Sequence, residues 1–343
     1  MGESRVLGSE SEARVLQSRG LTATPGLIAA ARLETVSSRA LAPCATASEA
    51  TTALRSTVGA LASAMAEVLH PSLGGDAVRD ARDLLAMLHD MPRHWAVLSS
   101  ADSVDEATWA RGLAAAHKRA AGAPIQYAAG RAAFRHLVLH VDERVLIPRP
   151  ETEQLVEIVL DLTSGTSGGV AVDVGTGSGA IALALASEGT FATVIGTDVS
   201  LDALAVARAN AAACASALTA DVALRHGSLL GPVRERGVRA VVSNPPYIAY
   251  DEADALPAMV RDWEPAVALF SGDDGMACTA QLVRESAEVL GAGGVLAFEV
   301  DARRASQAAA LVSGHGAFSA VRVVLDLTGR ERFVVARRME TQG

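Results

Sequence analysis

The stretch VVSNPPYIAY, residues 241–250, ends a strand-like apolar run in Asn244, Pro245, Pro246 and Tyr247. Proline cannot donate to a sheet ladder and its φ is fixed, so the pair must end the strand and stiffen the chain as it leaves the sheet. A carboxamide, rigid main-chain carbonyls and an aromatic ring make a polar clamp suited to a planar NH2 group; the plainer reading is a strand exit with a stray Tyr. Two other segments bear on the choice. VAVDVGTGSGAIALALA (170–186) sets Gly175, Thr176, Gly177, Ser178 and Gly179 where a buried strand turns into a helix, and glycines there allow tight turning and close approach of a ligand. The spacing is G-x-G-x-G, not the G-x-G-x-x-G of a dinucleotide fingerprint. The next strand, TVIGTD, ends in Asp198, which can accept from both hydroxyls of a ribose or help to cap the helix that begins beside Ser200. A third strand end, RHGSLLGP, places Ser228 and Leu229 where an adenine ring of a nucleoside would lie, Leu229 over a ring face and Ser228 near ring nitrogens; alone it reads as an ordinary Gly-Ser turn.

The elements that must position these residues alternate. Strands are expected at 169–174, 192–197, 221–225, 238–243, 294–300, 320–326 and 331–337, with helices at 152–163, 179–188, 200–214, 275–290 and 302–313. Apolar strands alternating with helices imply an α/β, doubly wound, mostly parallel seven-stranded sheet, closed at one edge by an antiparallel hairpin. In such sheets ligands bind at the carboxyl ends of the strands, where the glycine turn, Asp198 and Asn244 would converge. Ahead of this domain, assigned to 143–343, residues 53–121 carry a helical pattern. DAVRDARDLLAMLHDM puts Val78, Ala81, Leu84, Leu85 and Leu88 on one face, and DEATWARGLAAAHKRA repeats the habit with Trp109 and Leu113 behind a capping Asp105. Residues 122–142, PIQYAAG and AAFRHLVLHV among them, read as a β-hairpin connector. Residues 1–52, rich in Ser, Ala and Thr without a periodic face, read as a poorly ordered extension.

Composition narrows the classes. Half of the 343 residues are hydrophobic, yet no apolar run approaches the roughly 18 residues of a membrane span, and no signal-like segment follows Met1. Cys44, Cys214 and Cys278 are too few and scattered for a disulfide framework, and neither they nor His136 and His226 show metal-ligand spacing. A cytoplasmic, metal-free protein is expected. The net charge of −9, with Lys118 the one lysine, argues against stable nucleic-acid binding.

G-T-G-S-G, then T-D, then N-P-P-Y is the pattern of class I S-adenosylmethionine-dependent methyltransferases acting on amide or exocyclic nitrogens. More narrowly, DERVLIPRPETEQLVE (142–157), VVSNPPYI (241–248), VRDWEPAVALFSGDDG (260–275) and DLTGRERFVVAR (326–337) resemble the peptide chain release factor glutamine N5-methyltransferases of the HemK/PrmC type, over residues 55–340. The resemblance implies S-adenosyl-L-methionine bound by Gly175–Gly179, Asp198, Ser228, Leu229 and Asn244. It implies an enzyme that methylates the glutamine of the Gly-Gly-Gln loop of release factors, and a monomer is expected. The Asn244 side-chain oxygen and the Pro245 carbonyl would each accept one N–H of the amide, Pro246 would stiffen the clamp, and Tyr247 would pack on the amide plane. The RPETE segment would wall the cofactor and substrate mouth, with capping by Thr152 and ion pairs of Arg149 and Glu151 as its plain role. Two positions depart from the family pattern: Ser228 stands where Asp is usual, and Asp301 stands where E-x-G would have glycine.

Three rivals share features with this reading. An N6-adenine DNA methyltransferase would use the same clamp on adenine but needs a basic groove and a flipped base. A non-catalytic translation-factor-binding module would not need an intact glycine turn with Asp198 and Asn244. A nicotinamide dehydrogenase is disfavoured by the glycine spacing.

Overall fold

The computed structural model describes residues 57–340; the extension assigned to 1–52 lies outside them. Helices α1 (Val58–Leu73), α2 (Ala77–Leu88) and α3 (Glu106–Ala120) bury one apolar cluster against each other. Thr57 and Asp105 cap α1 and α3, accepting from the amides of Ala60 at 3.1 Å and Thr108 at 2.7 Å. The buried face of α3 is made of small residues, Thr108, Gly112, Ala115 and Ala116, with Trp109 and Leu113 at its margin. A Cβ on Gly112 would lie 3.1 Å from the Leu61 and Met65 side chains, so its absence lets α1 approach closely. Arg119 of α3 pairs with Asp80 of α2 at 3.0 Å. Val78, expected on the buried face of α2, is 49 % exposed. Ala77, Ala81, Leu84 and Leu85 make the contact instead, and Val78 sits one residue, about 100°, away from that stripe.

The connector is only partly a hairpin. IQYAA forms a short helix α4 (Ile125–Ala129), entered through Pro124 and ended by Gly130 in the left-handed region, the proline-in, glycine-out signature of a helical turn. Arg131–Phe134 (β1) and Leu137–His140 (β2) then pair antiparallel. Tyr127 is buried behind them and donates to the Val145 carbonyl at 2.5 Å.

The main sheet follows. Its strands are β3 (Val170–Val174), β4 (Thr193–Asp198), β5 (Asp221–His226), β6 (Val238–Ser243), β7 (Leu290–Glu299), β8 (Phe318–Leu325) and β9 (Glu331–Arg338), in the order β5-β4-β3-β6-β7-β9-β8. The first five are mutually parallel, and β9 inserts antiparallel between β7 and the edge strand β8. Helices α5 (Pro150–Thr163) and α6 (Ala180–Glu188) cover one face through Leu155, Val159 and Leu183, and α7 (Leu201–Ala213) lies along β5 and β2. Helices α8 (Ala277–Val289) and α9 (Ala305–Gly314) cover the other through Leu282, Val283 and Ala308. Burial on both faces accounts for the near-continuous apolar runs of β3 and β6.

One carboxamide ties the hairpin to the glycine turn. Buried Asn210 of α7 accepts from the His140 amide at 2.7 Å and donates to the His140 and Ser178 carbonyls at 3.0 and 2.8 Å. Asn210→Ala leaves these main-chain groups without partners and is expected to cost about 2–3 kcal/mol. Urea unfolding checks this, and a loss below ~0.5 kcal/mol would show that the tie contributes nothing.

Candidate active site

Parallel register places the candidate residues in one row. Val174 is level with Thr197 on one side and with Ser243 on the other; Asp198 is level with His226, and Ser243 with Phe298. The next residues along these strands are therefore Gly175, Asp198, Asn244 and Glu299, with Ser228 beyond β5.

The glycine turn leaves β3 with Gly175, Gly177 and Gly179 at φ +73°, +53° and +86°, a region costly for other residues. The amides of Gly175 and Thr176 both donate to the Thr197 carbonyl at 2.9 Å. A Cβ on Gly175 or Gly177 would meet nothing within 4 Å, so the turn faces open space. Beneath it lies Asp173, fully buried, accepting from Thr176 Oγ1 at 2.6 Å and from the Ala182 amide at 3.1 Å through one oxygen. Its other oxygen has no partner, and burial pushes the carboxyl up to about 7. Asp198 accepts from the Gly177 amide at 2.9 Å and the Ser200 amide at 2.8 Å, one on each oxygen. The Ser200 side chain itself caps α7, accepting from Ala203 at 3.1 Å. Asp198 thus braces the turn and the helix start together, with lone pairs left for a ligand; burial raises its pKa against these hydrogen bonds. At the β5 end Ser228 is exposed, and Leu229, with φ +45°, packs against the sheet core while Thr197 Oγ1 donates to its carbonyl at 2.7 Å.

Asn244 leaves β6 half-buried. Its Nδ2 donates to Thr152 Oγ1 at 3.2 Å, Thr152 donates to Glu299 Oε2 at 2.8 Å, and Tyr247 donates to Glu299 Oε1 at 3.4 Å. Thr152, a possible cap in the sequence, does not cap α5: the N-cap is Arg149 and the buried Thr152 hydroxyl crosses to β7 instead. Burial raises the Glu299 pKa, opposed by the Thr152 hydrogen bond and by Arg332, and it also raises the Tyr247 phenol. Arg149 pairs at 2.5 Å with buried Glu264 of the DWEPAV segment, and burial pushes that carboxyl up while Arg149 pulls it down. Asn244, Pro245 and Tyr247, with Arg149, Leu146 and Ile248, line a pocket of about 180 Å³.

The segment after the clamp is locked. Gly275 has φ +87°, and a Cβ there would fall 2.3 Å from the Tyr247 carbonyl, so glycine is required for the close approach. Arg304 donates to the Asp274 carbonyl at 2.5 Å and pairs with Glu252 at 3.0 Å. Asp301 accepts from the Arg303 amide at 2.8 Å, a side-chain turn that needs no glycine there.

Sequence reasoning brought Gly175–Gly179, Asp198 and Asn244–Tyr247 to one edge, and the structure places them there. It missed Asp173, Glu299 and Glu264 as buried partners. For Asp173 and Glu299 the signal was an acid inside an otherwise apolar segment, VAVDV and LAFEV; for Glu264 it was an acid between Trp263 and Pro265.

Asp173 yields a pH prediction. The folded chain keeps its proton up to about pH 7, whereas the unfolded chain releases it near 3.8, so its contribution to stability is present at acid pH and is lost as pH rises to 7. Asp173→Asn mimics the protonated acid. The fall in stability between pH 5 and 7 should flatten by at most about 1.4 kcal/mol per pH unit. An unchanged slope in urea titrations at the two pH values would contradict a buried titrating Asp173.

The chain is similar in sequence to known proteins. Residues 61–130 match the PrmC N-terminal domain model and residues 152–263 match the methyltransferase small domain model. A release factor glutamine methyltransferase of Gloeobacter violaceus is 42 % identical over 62 % of this chain and 73 % of its own length. One from Deinococcus radiodurans is 40 % identical over 76 % of this chain and 90 % of its own. Among solved structures, a methyltransferase from Pyrococcus furiosus aligns with a TM-score of 0.44 at 19 % identity, over 59 % of this chain and 89 % of that one.

Proposed function

Because the chain belongs to the release factor glutamine methyltransferase family, we propose that the clamp Asn244–Tyr247 holds the side-chain amide of a release factor glutamine for N5 methylation. The chain is an S-adenosylmethionine-dependent methyltransferase. The carboxyl edge fits that cofactor: the turn at Gly175 and Gly177 opens on free space, and Asp198 keeps acceptor capacity beside it. Gly175, Thr176, Gly177, Ser178 and Gly179 would cradle the methionine and ribose portions, Asp198 would take the ribose hydroxyls, and Ser228 and Leu229 would border the adenine. When bound, S-adenosylmethionine would supply a methyl group on a positively charged sulfur that departs as a neutral thioether, while the substrate amide nitrogen gives up one N–H proton to solvent.

The difficulty lies with the acceptor, because an amide nitrogen's lone pair is delocalised into its carbonyl. Asn244 Oδ1 and the Pro245 carbonyl are two fixed acceptors for the two N–H bonds, and they draw the nitrogen out of conjugation and aim its lone pair. Tyr247 closes the side of the pocket and Pro246 holds the backbone. Fixed orientation of this kind can lower a barrier by on the order of 7–11 kcal/mol. The observation that carries the reading is the anchored Asn244: its Nδ2 is committed to Thr152, which leaves its oxygen for the substrate.

The clamp recognises only a planar NH2, so the choice of target falls to surfaces around the pocket, with the helical region as the recognition surface. We place the target in an exposed Gly-Gly-Gln loop, where glycines allow close approach, and the enzyme acts as a cytoplasmic monomer. Among the described residues no helix is long and apolar enough to cross a membrane.

Labelled S-adenosylmethionine incubated with a folded release factor should mark the loop glutamine, with short peptides much poorer because remote contacts supply alignment energy. Duplex DNA should gain no label; a robust adenine product from DNA and none from release factor would overturn the proposal. Asn244→Ala should abolish transfer while the glycine turn still binds cofactor, with some loss of affinity allowed because Asn244 borders it, and near-full turnover by this variant would sink the clamp. Asp198→Ala should weaken S-adenosylmethionine by about 1.5–3 kcal/mol, measured calorimetrically. An unchanged dissociation constant would restrict Asp198 to bracing the turn.

A further inference from the structure

A carboxamide has two ends of nearly equal shape and opposite hydrogen-bonding sense, and only the oxygen can accept from an amide NH2. The clamp therefore works in one of two orientations of Asn244, and something must choose between them. The choice can be traced through buried groups. Glu299 is 2 % exposed and, in its ionised form, which burial opposes and the Thr152 hydrogen bond and Arg332 favour, can only accept. Its Oε2 takes the single proton of the Thr152 hydroxyl at 2.8 Å. Thr152 can then offer Asn244 only a lone pair, so the carboxamide must turn its NH2 inward, as it does at 3.2 Å. The oxygen is left to face the pocket lined by Asn244, Pro245 and Tyr247. The other oxygen of the same carboxylate receives the Tyr247 hydroxyl at 3.4 Å, so one buried acid holds both polar ends of the clamp.

We propose that Glu299, acting through Thr152, fixes the Asn244 carboxamide with its oxygen outward, making Glu299 and Thr152 positioning residues for the methyl acceptor. The proposal rests on the clamp reading above. Thr152 comes from the first turn of α5 and Glu299 from the end of β7, so the orientation of a β6 side chain is decided by two elements that need not touch the substrate. Arg332 is the cation that favours the ionised form of Glu299, and Glu151 is the neighbouring acid that opposes it.

Three variants test this with a folded release factor as acceptor. Thr152→Val keeps shape and removes the relay; kcat should fall roughly ten-fold or more, about the worth of one hydrogen bond in orientation. The release factor KM and the calorimetric Kd for S-adenosylmethionine should change far less than kcat, because Thr152 is buried and reaches the pocket through Asn244. Thr152→Ser restores the hydroxyl and should recover most of kcat, a rescue that a loss of packing alone would not show. Glu299→Gln can present Thr152 with either an oxygen or an NH2, so orientation is no longer imposed and kcat should drop several-fold. Thermal melting accompanies each variant, and Thr152→Ala replaces the valine variant if the latter does not fold. Wild-type kcat in Thr152→Val or Glu299→Gln, or a serine variant as impaired as the valine one, would overturn the relay. Asn244→Ala, run alongside, separates the two readings: if it is inactive the clamp stands whatever the relay does, and if it is active both fall.

Discussion

Parallel pairing of β3 with β4 and β6 is the constraint on which the site depends. A parallel ladder forces neighbouring strands to end on the same side, so chain segments far apart in sequence must deliver their next residues to one edge. With Val174 level with both Thr197 and Ser243, the chain has no choice about where Gly175, Asp198 and Asn244 emerge. A register slip of one residue in β6 would turn Asn244 to the opposite face and put Ser243, whose hydroxyl now donates to the Val174 carbonyl at 2.8 Å, in its place. The side chains themselves need then be only short and polar.

Behind this edge lie three buried carboxyls, Asp173, Glu264 and Glu299, and each has the same effect on a different part of the site. Burial disfavours their charge, so each is offset by donors it holds firmly: Thr176 and Ala182 for Asp173, Arg149 for Glu264, Thr152 and Tyr247 for Glu299. Most of these donors lie in the glycine turn or line the pocket, or stand next to residues that do. Acids placed one layer back convert mobile hydroxyls and a guanidinium into groups with one hydrogen-bonding sense and one place, which is the preorganisation that transfer to a weak nucleophile demands.

How legible this was depended on where the signal lay. The sheet strands showed as apolar runs because both faces are covered, and the glycine turn and NPPY announced themselves through residues that few other contexts tolerate. The short helix at Ile125–Ala129 was hidden because its length, five residues, is below what periodicity resolves, though Pro124 and Gly130 marked its ends. Val78 was assigned to the core because a two-residue-wide apolar stripe on a helix leaves its boundary ambiguous until a neighbour fixes it. Thr152 and Glu264 stood within quoted motifs and Glu299 two residues before Asp301, but their partners lie on other elements, 92 and 147 residues from Thr152 and 115 from Glu264. A one-dimensional pattern carries no information on such pairings, and for that reason Thr152 read equally well as a helix cap.

The helical region meets the pocket wall through the stretch from Met259 to Glu264 and through the segment ahead of Arg149. Arg119 at the end of α3 contacts Met259 at 3.9 Å, and Trp263 packs in the cluster formed by Tyr127, Val141 and Ile147. The next residue is Glu264, which holds Arg149 at the pocket mouth. Lys118 adds a pair with Glu143 at 2.7 Å, ahead of the same Arg149 segment. A protein lying against α1–α3 would be linked to the clamp through these side-chain contacts. That suits a reaction in which the reacting group offers almost nothing to recognise. A planar NH2 looks alike on many molecules, so contacts remote from it can supply the discrimination, their binding energy appearing as alignment at the amide.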